Sequence, residues 1–494
     1  MISLCAVDLG AESGRCFLGT FDGVRMECRE VHRFPNGPVK ILGSLYWDVL
    51  RLFGEIKEGL RRCAVEAGGE LSGVAVDTWG VDFALLDRRG SLLENPYHYR
   101  DRRTEGMMEV AFRRVLREEI YFHTGIQFMP INTLYQLLSM VVAQAPILEV
   151  AATLLMMPNL FSFWLGGETV CEFTDATTTQ CFNPRIGGWA FNLLERLGIP
   201  THIWPAVVPP GTVVGILREE IQEEFGLGPI PVIATASHDT ASAVAAVPAE
   251  SERFAYISSG TWSLVGTEVS APVITEQSLA LNFTNEGGVG GRFRLLRNVM
   301  GLWLLQECRR LWTQRGDVLS YEDLMALAEA TPPFGPLIDP DREEFLRPGD
   351  MPSQIQGFCA RTGQIVPQGE GEVVRCILES LALKYRWVVE QLEHLLGYRL
   401  TPIHVVGGGA RNRLLCQMTA DATGKPVIAG PAEATAMGNL LVQAMALGHL
   451  NSLEEIREVV RASSDRAVYE PRPDGRWDEA YARFVPLLAS HPEG

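Results

Sequence analysis

One local arrangement is written twice along this chain. The apolar run Leu4-Cys5-Ala6-Val7-Asp8-Leu9-Gly10 meets a glycine turn and then a second apolar run from Arg15 to Phe21. Further on, Phe254-Ala255-Tyr256-Ile257-Ser258 meets Ser259-Gly260-Thr261, and Ser263-Leu264-Val265-Gly266-Thr267 follows. Each reads as a β-hairpin whose tight turn carries small hydroxyl residues. The identity between the copies is low, but the pattern is shared. It predicts two related halves, each opening on a turn able to hold phosphate on backbone N–H groups. A chain of 494 residues also exceeds one core, so two or three domains are expected.

Between the hairpins the pattern alternates strand and helix, which indicates an α/β protein. A helix is predicted from Trp47 to Cys63, with Val49, Leu50, Phe53, Ile56 and Leu60 on its apolar face. Gly73 to Asp77 reads as a strand, and residues 100–200 as a largely helical insert. Residues 231–236 form an apolar strand before Ser237-His238-Asp239-Thr240. Ile403 to Val406 is a further strand, followed by Gly407-Gly408-Gly409 and a helix from Asn412 to Gly424. The segment Val247 to Glu252 reads as a linker, which predicts domains at 1–247 and 248–494.

The formal net charge of -17 disfavours a nucleic-acid partner, which needs clustered Lys and Arg. It leaves room for an anionic nucleotide held by backbone N–H groups. The first residues lack a basic n-region and reach Asp8 at once, unlike a signal peptide. No uninterrupted apolar run reaches membrane-spanning length. The ten cysteines form no Cys-x-x-Cys pair and are read as reduced thiols of a cytoplasmic protein. Whether Cys359 and Cys376 meet is left open.

The chemistry is expected at the strand ends. Asp239 follows an apolar strand and opens a helix of small residues. The helix dipole favours its ionised form, which can accept a proton from an alcohol. A helix cap accounts for the same Asp equally well. Asp8 ends the first strand and would face Mg²⁺ through water. Ala11, Glu12, Ser13, Gly14 and Arg15 form the turn that would meet phosphate; it lacks the Gly-Lys-Ser/Thr ending of a Walker A loop. Thr261 is the hydroxyl of the matching turn, and Gly408 would let a nucleotide approach the backbone. Asn298 precedes an apparent helix, Val299 to Trp312, that carries Gln306; eight helical residues span about 12 Å. The two amides would then reach opposite ends of a substrate–nucleotide pair. Asp77 and Asp82 are candidate acceptors for sugar hydroxyls.

These elements, in this order, resemble the FGGY carbohydrate kinases of the actin-like ATPase superfamily. The resemblance rests on Val7-Asp8-Leu9-Gly10-Ala11, Asp77 to Phe83, Tyr99-Arg100-Asp101, Gly125 to Phe128, Asn132 to Leu137 and Thr174 to Gln180. In the second half it rests on Ala236 to Ala243, Ser258 to Leu264, Thr284 to Gly288 and Asn298 to Gln306. Within the family the blocks are most similar to the branch acting on L-rhamnulose. The resemblance implies two actin-like (ribonuclease H-like) α/β domains, with mixed sheets flanked by helices and the active site in the interdomain cleft. The first domain would bind sugar and carry the phosphate loop; the second would bind the nucleotide. Asp239 is implied as the general base. Ala11 to Arg15, Thr261, Gln306 and Gly408 are implied at ATP. Gly80, His238, Asp239, Thr240 and Asn298 are implied at the sugar. The implied partners are ATP, Mg²⁺ and a small ketose, with no nucleic acid and no membrane, for a monomer or homodimer. The superfamily usually has Thr where Ala11 stands, so backbone N–H groups would do more here. Glu12 either pairs with Arg15 or points outward. The alternatives are another FGGY kinase, acting on L-fuculose, L-ribulose, D-xylulose or glycerol, a non-catalytic actin-like ATP switch, or a sugar-responsive regulator.

Overall fold

A computed structural model describes residues 1–488; residues 489–494, the end of the second predicted domain, lie outside the described residues. Packing divides the chain into two units. The first comprises Met1–Glu250, Glu268–Leu295 and Glu433–Ser464. The second comprises Ser251–Thr267, Leu296–Ala432 and the segment from Asp465 onward.

The first unit is built on a six-stranded sheet. Its order is Thr212–Ile216, Pro231–Ala234, Gly73–Thr78, Ile2–Leu9, Ser13–Phe21, Met26–Pro35. The last three strands form an antiparallel meander. Gly73–Thr78 runs parallel to Ile2–Leu9, and Pro231–Ala234 runs parallel to Gly73–Thr78. Both faces of these central strands are covered. Leu4, Cys5, Ala6 and Val7 are all buried, which is why they read as an unbroken apolar run rather than an alternation.

The second unit repeats this plan. Its sheet sets Phe293–Met300, Trp262–Val269, Ala255–Ser259, Ile403–Val406, Val427–Ala429 and Ala467–Tyr469 side by side. The hairpin is antiparallel, the next two strands run parallel to it in turn, and the edge strand is antiparallel. The first sheet also ends on an antiparallel edge, Thr212–Ile216. The repeated hairpin is therefore the start of a repeated sheet.

The first long helix spans Val49–Glu66, with Asp48 accepting a hydrogen bond from Arg51 N–H. Its buried stripe is Val49, Leu52, Ile56, Leu60 and Cys63. Leu50, expected on that face, is 65% exposed. Spacing by three and four from Val49 reaches residue 52 and passes residue 50 by. The insert is mainly helical, including Met107–Arg114, Arg117–Thr124, Thr133–Val142, Met157–Leu165 and Phe191–Leu197.

Two short helices set the position of Asp239. Asp239–Ala245 lies against Ala434–Ala446, and a Cβ on Gly438 would sit 1.8 Å from the Ser242 carbonyl oxygen. Only glycine permits that approach, and the small residues of the first helix match it.

One expectation is overturned. Asn298 lies in the strand Phe293–Met300, and the helix carrying Gln306 begins only at Trp303. The break falls at Gly301, where a Cβ would meet Ser263 Oγ at 2.5 Å and Ser263 N at 2.8 Å. The strand must press this closely on the hairpin, so the helix starts later. Asn298 and Gln306 do not share a helix, and the 12 Å argument does not apply.

All ten cysteines are free, and nine are buried. Cys359 and Cys376 do come close enough to influence one another: Cys376 draws the Cys359 thiol below its ordinary range, and Cys359 helps push Cys376 up. Among the described residues, no helix is long and apolar enough to cross a membrane.

Candidate active site

The end of strand Pro231–Ala234 and the loop after it are held by several bonds. Glu172 Oε2 accepts from Ser237 N–H at 3.0 Å, and Thr174 Oγ1 accepts from His238 N–H at 3.1 Å. Thr78 N–H donates to the Ser237 carbonyl at 2.9 Å, which ties the loop to the neighbouring strand end. Asp239 is then the first helical residue, and His238 is the flanking cap residue. Asp239 accepts from Thr240 Oγ1 at 3.1 Å and lies 3.5 Å from His238 Nε2. Its side chain is 29% exposed, whereas His238 and Thr240 are buried. Burial raises its pKa, with His238 opposing. A carboxylate so placed is reachable, and its basicity is enhanced.

The first turn brings opposite charges together. Asp8 stands across from Arg15 in the hairpin register. Arg15 pairs with Asp8 at 2.5 Å and with Glu433, the residue preceding helix Ala434–Ala446. Burial raises the Asp8 pKa against the pull of Arg15, and Asp239 and Glu433 add to the rise. Asp77 is aligned with Asp8 on the adjacent strand. Its Oδ2 accepts from Asn439 Nδ2 at 2.5 Å, while its buried Oδ1 has no hydrogen-bond partner among the described residues. Burial first, then Asp8, push its pKa well up. Glu12 is exposed, and Arg15 pairs with Asp8 and Glu433. Ala11 and Ser13 are half-buried at the turn, closed by Gly10 N–H donating to Ser13 O at 2.9 Å. Gly14 has a packing reason: a Cβ there would lie 2.2 Å from the Phe34 ring.

Gly80 sits where a Cβ would come within 2.9 Å of Thr178. The next residue, Val81, has φ +69°, a strained conformation for a β-branched side chain. Thr178 Oγ1 accepts from its N–H at 3.1 Å, and its carbonyl accepts from Thr133 Oγ1 at 2.6 Å. Asp82 proves to be structural. It accepts from Trp47 Nε1 at 2.6 Å, Trp79 Nε1 at 3.0 Å, Gln136 Nε2 at 2.8 Å and Tyr99 N–H at 3.2 Å. Three of those donors meet Oδ2 and one meets Oδ1, and the residue is fully buried, so it ties the surrounding aromatic cluster together.

The second unit gathers another set. Gly260 N–H donates to Trp262 O at 2.8 Å, which closes the turn. Leu302 and Trp303 N–H groups donate to the Gly260 and Thr261 carbonyls, each at 3.1 Å. The helix bearing Gln306 is thus anchored on the turn bearing Thr261. Gln306 Oε1 is buried without a hydrogen-bond partner among the described residues. The triple-glycine turn packs on the same hairpin. Gly407 has φ +81°, and a Cβ on Gly409 would strike Ser259 Oγ at 2.0 Å. Gly408, between them, faces open space. Asn298 is half-buried near the end of its strand.

The structure therefore brings Asp8, Arg15, His238, Asp239 and Thr240 into one carboxylate-rich group in the first unit. It brings Thr261, Gln306 and the glycines around Gly408 into another in the second. Sequence reasoning missed Glu172, Glu433 and Arg294 and gave Thr174 and Thr178 no role of their own, because their partners lie far away in sequence. Among the described residues, no three His, Cys, Asp or Glu side chains are grouped to hold a metal ion.

Two family models match the chain. One, the N-terminal domain of the FGGY family of carbohydrate kinases, spans residues 6–246, and the other, its C-terminal domain, spans 255–447. The chain belongs to the FGGY family of carbohydrate kinases. It is a sugar kinase with the two-domain fold of that family, as the resemblance implied. A rhamnulokinase from Bacteroides thetaiotaomicron is 47% identical over 97% of this chain and 98% of its own. A rhamnulokinase from Oceanobacillus iheyensis is 42% identical over 94% of this chain and 97% of its own. Among solved structures, a ligand-bound xylulose kinase from Lactobacillus acidophilus superposes with a TM-score of 0.83 over 99% of each chain. At 17% identity, that FGGY-fold likeness concerns the fold alone.

Proposed function

We propose that this chain transfers the γ-phosphoryl group of ATP to the C1 hydroxyl of L-rhamnulose, giving the ketose 1-phosphate and ADP. The observation carrying this reading is the identity of 47% and 42% to two rhamnulokinases, spanning nearly the whole chain. Asp239 accepts the proton of the C1 hydroxyl as that oxygen attacks the γ-phosphorus in line. Its raised pKa and partial exposure support the role. Gly80, His238, Thr240 and Asn298 orient the sugar. The turn from Ala11 to Arg15 meets the phosphates, and Thr261, Gln306 and Gly408 hold the nucleotide. The unpartnered Gln306 Oε1 supports that last assignment, since a buried acceptor calls for a donor. The domain read at 1–247, to which packing adds Glu268–Leu295 and Glu433–Ser464, serves chiefly the sugar and carries the phosphate loop, and the remainder of 248–494 serves chiefly the nucleotide.

Mg²⁺ fits the first unit. Asp8 and Asp77 stand side by side at two strand ends and offer carboxylate oxygens to an ion reached through water, in keeping with the lack of a direct three-ligand cluster among the described residues. Hard oxygen donors suit this ion, which keeps several waters and is shared with phosphates. Asp8 would hold it through water. Once bound it would neutralise phosphate charge. Phosphoryl transfer passes through a loose transition state, so positioning and charge neutralisation outweigh proton removal. Free thiols throughout support a cytoplasmic setting, with the enzyme a monomer or homodimer.

The test is ADP release from ATP and Mg²⁺ with L-rhamnulose, L-fuculose, L-ribulose, D-xylulose and glycerol in separate reactions. A rate highest with L-rhamnulose by a wide margin is expected. Equal rates on several would withdraw the substrate. ATP hydrolysis indifferent to sugar would sink the kinase reading in favour of a switch.

A further inference from the structure

Behind the sugar-side residues lies a buried ionic chain that the reaction as described does not use. Arg294 is fully buried. Its Nε donates to the Gly287 carbonyl at 2.7 Å. Its second guanidinium nitrogen lies 3.1 Å from His238 Nδ1 and 3.1 Å from Glu286 Oε2. Glu286 Oε2 is in turn 3.4 Å from His238 Nδ1, and His238 Nε2 faces Asp239 Oδ1 at 3.5 Å.

Arginine is a donor only. When its N–H points at Nδ1, that nitrogen must carry the lone pair, and the ring proton moves to Nε2. We infer that Arg294, held in place by Glu286, is a positioning residue that fixes the His238 imidazole with Nε2–H turned toward Asp239. The inference rests on the reading of Asp239 as base. With this tautomer, Nε2–H meets a carboxylate or a sugar oxygen as a donor. With the other, two acceptors would face each other beside the base.

Two further observations support it. Arg294 Nη1 is buried with no hydrogen-bond partner among the described residues. An apolar side chain of similar volume would serve packing alone at least as well. Glu286 is also held as a carboxylate: burial works against its charge, but the Arg294 guanidinium 3.1 Å away opposes it and the pKa is lowered. It therefore compensates the arginine and keeps it aimed.

The tautomer is read by ¹⁵N NMR of protein labelled at its nine histidines, with His238 assigned through His238→Gln. Wild type should show the proton on Nε2, and Arg294→Met should lose that preference. A proton on Nδ1 in the wild type would overturn the inference. Kinetics give a second readout. Arg294→Met should lower kcat/KM for the ketose by roughly 10²-fold, with KM for ATP unchanged. Arg294→Lys should recover part of it, lacking the planar fork. Glu286→Gln, nearly isosteric, should act in the same direction and stands in if Arg294→Met fails to fold. Loss of folded enzyme with both KM values unchanged would show a structural role only and overturn the inference. A wild type inactive on every ketose would sink the functional reading, yet the tautomer would still decide this one.

Discussion

In the first hairpin Asp8 stands opposite Arg15; at the corresponding place in the second, Ser259 stands opposite Ser263. Both hairpins open a mixed sheet with the same run of strands, and both close on a short glycine turn. The first presents fixed charge of both signs, compensated by Glu433 and crowded by Asp77 and Asp239. The second presents hydroxyls and backbone, with its turn carbonyls bonded to the start of a helix. One backbone plan thus serves two tasks. On the reading proposed above, the turn with ionisable groups manages the proton and the phosphates, and the turn with glycine and amides holds the base and ribose.

The largest expected effect belongs to the charged side. Asp239→Asn should lower turnover by roughly 10²–10⁴-fold, with ketose binding by calorimetry largely retained. Gln306→Ala, on the neutral side, should instead raise KM for ATP. Near-normal turnover in Asp239→Asn would erase the contrast.

Next comes the ion pair. Arg15→Met leaves Asp8 buried and uncompensated, and should destabilise the protein by about 3 kcal/mol in urea unfolding. Adding Asp8→Asn should recover much of that loss. No recovery would mean that Arg15 acts by packing rather than charge.

The glycine turn gives a finer test. Gly409→Ala should destabilise by about 1–3 kcal/mol, because its methyl group would enter the Ser259 side chain. Gly408→Ala meets nothing and should leave stability alone while weakening ATP binding. If the two variants behaved alike, the assignment of Gly408 to the nucleotide would fail.

The smallest effect is in pH dependence. Burial pushes Glu172 up to about 7 and Asp82 to about 6. A carboxyl group raised in the folded state binds its proton there while the unfolded chain has released it. Stability therefore falls as pH rises, for Glu172 from its ordinary value of 4.5 to about 7. Glu172→Gln should flatten that part of the stability curve. The turn Ser259 to Ser263 contains no titratable side chain, so Ser263→Ala should leave the profile unchanged.

Much of this was legible in the sequence where the signal is local. Strand ends at Asp8 and Asp77, the turn at Gly260 and the strand Ile403–Val406 lie where the apolar runs and glycines placed them. Asn298 was misread because Val299 to Leu305 carries no polar side chain, and apolarity alone does not separate strand from helix. The reason for the break at Gly301 lies in Ser263, a contact across the hairpin. The partners of Asp82 were hidden for a related reason. Nothing near it announces that Trp47, Trp79, Tyr99 and Gln136 all donate to it. The Arg294–Glu286 chain was invisible because its target, His238, is 56 residues away.

The most direct measurement is a ³¹P–¹H correlation spectrum of the product formed from ATP and L-rhamnulose. The account predicts phosphorus coupled to the C1 methylene protons, with one ADP formed per phosphorylated ketose. Inorganic phosphate in place of a sugar phosphate, or phosphorus coupled to another carbon's proton, would contradict it.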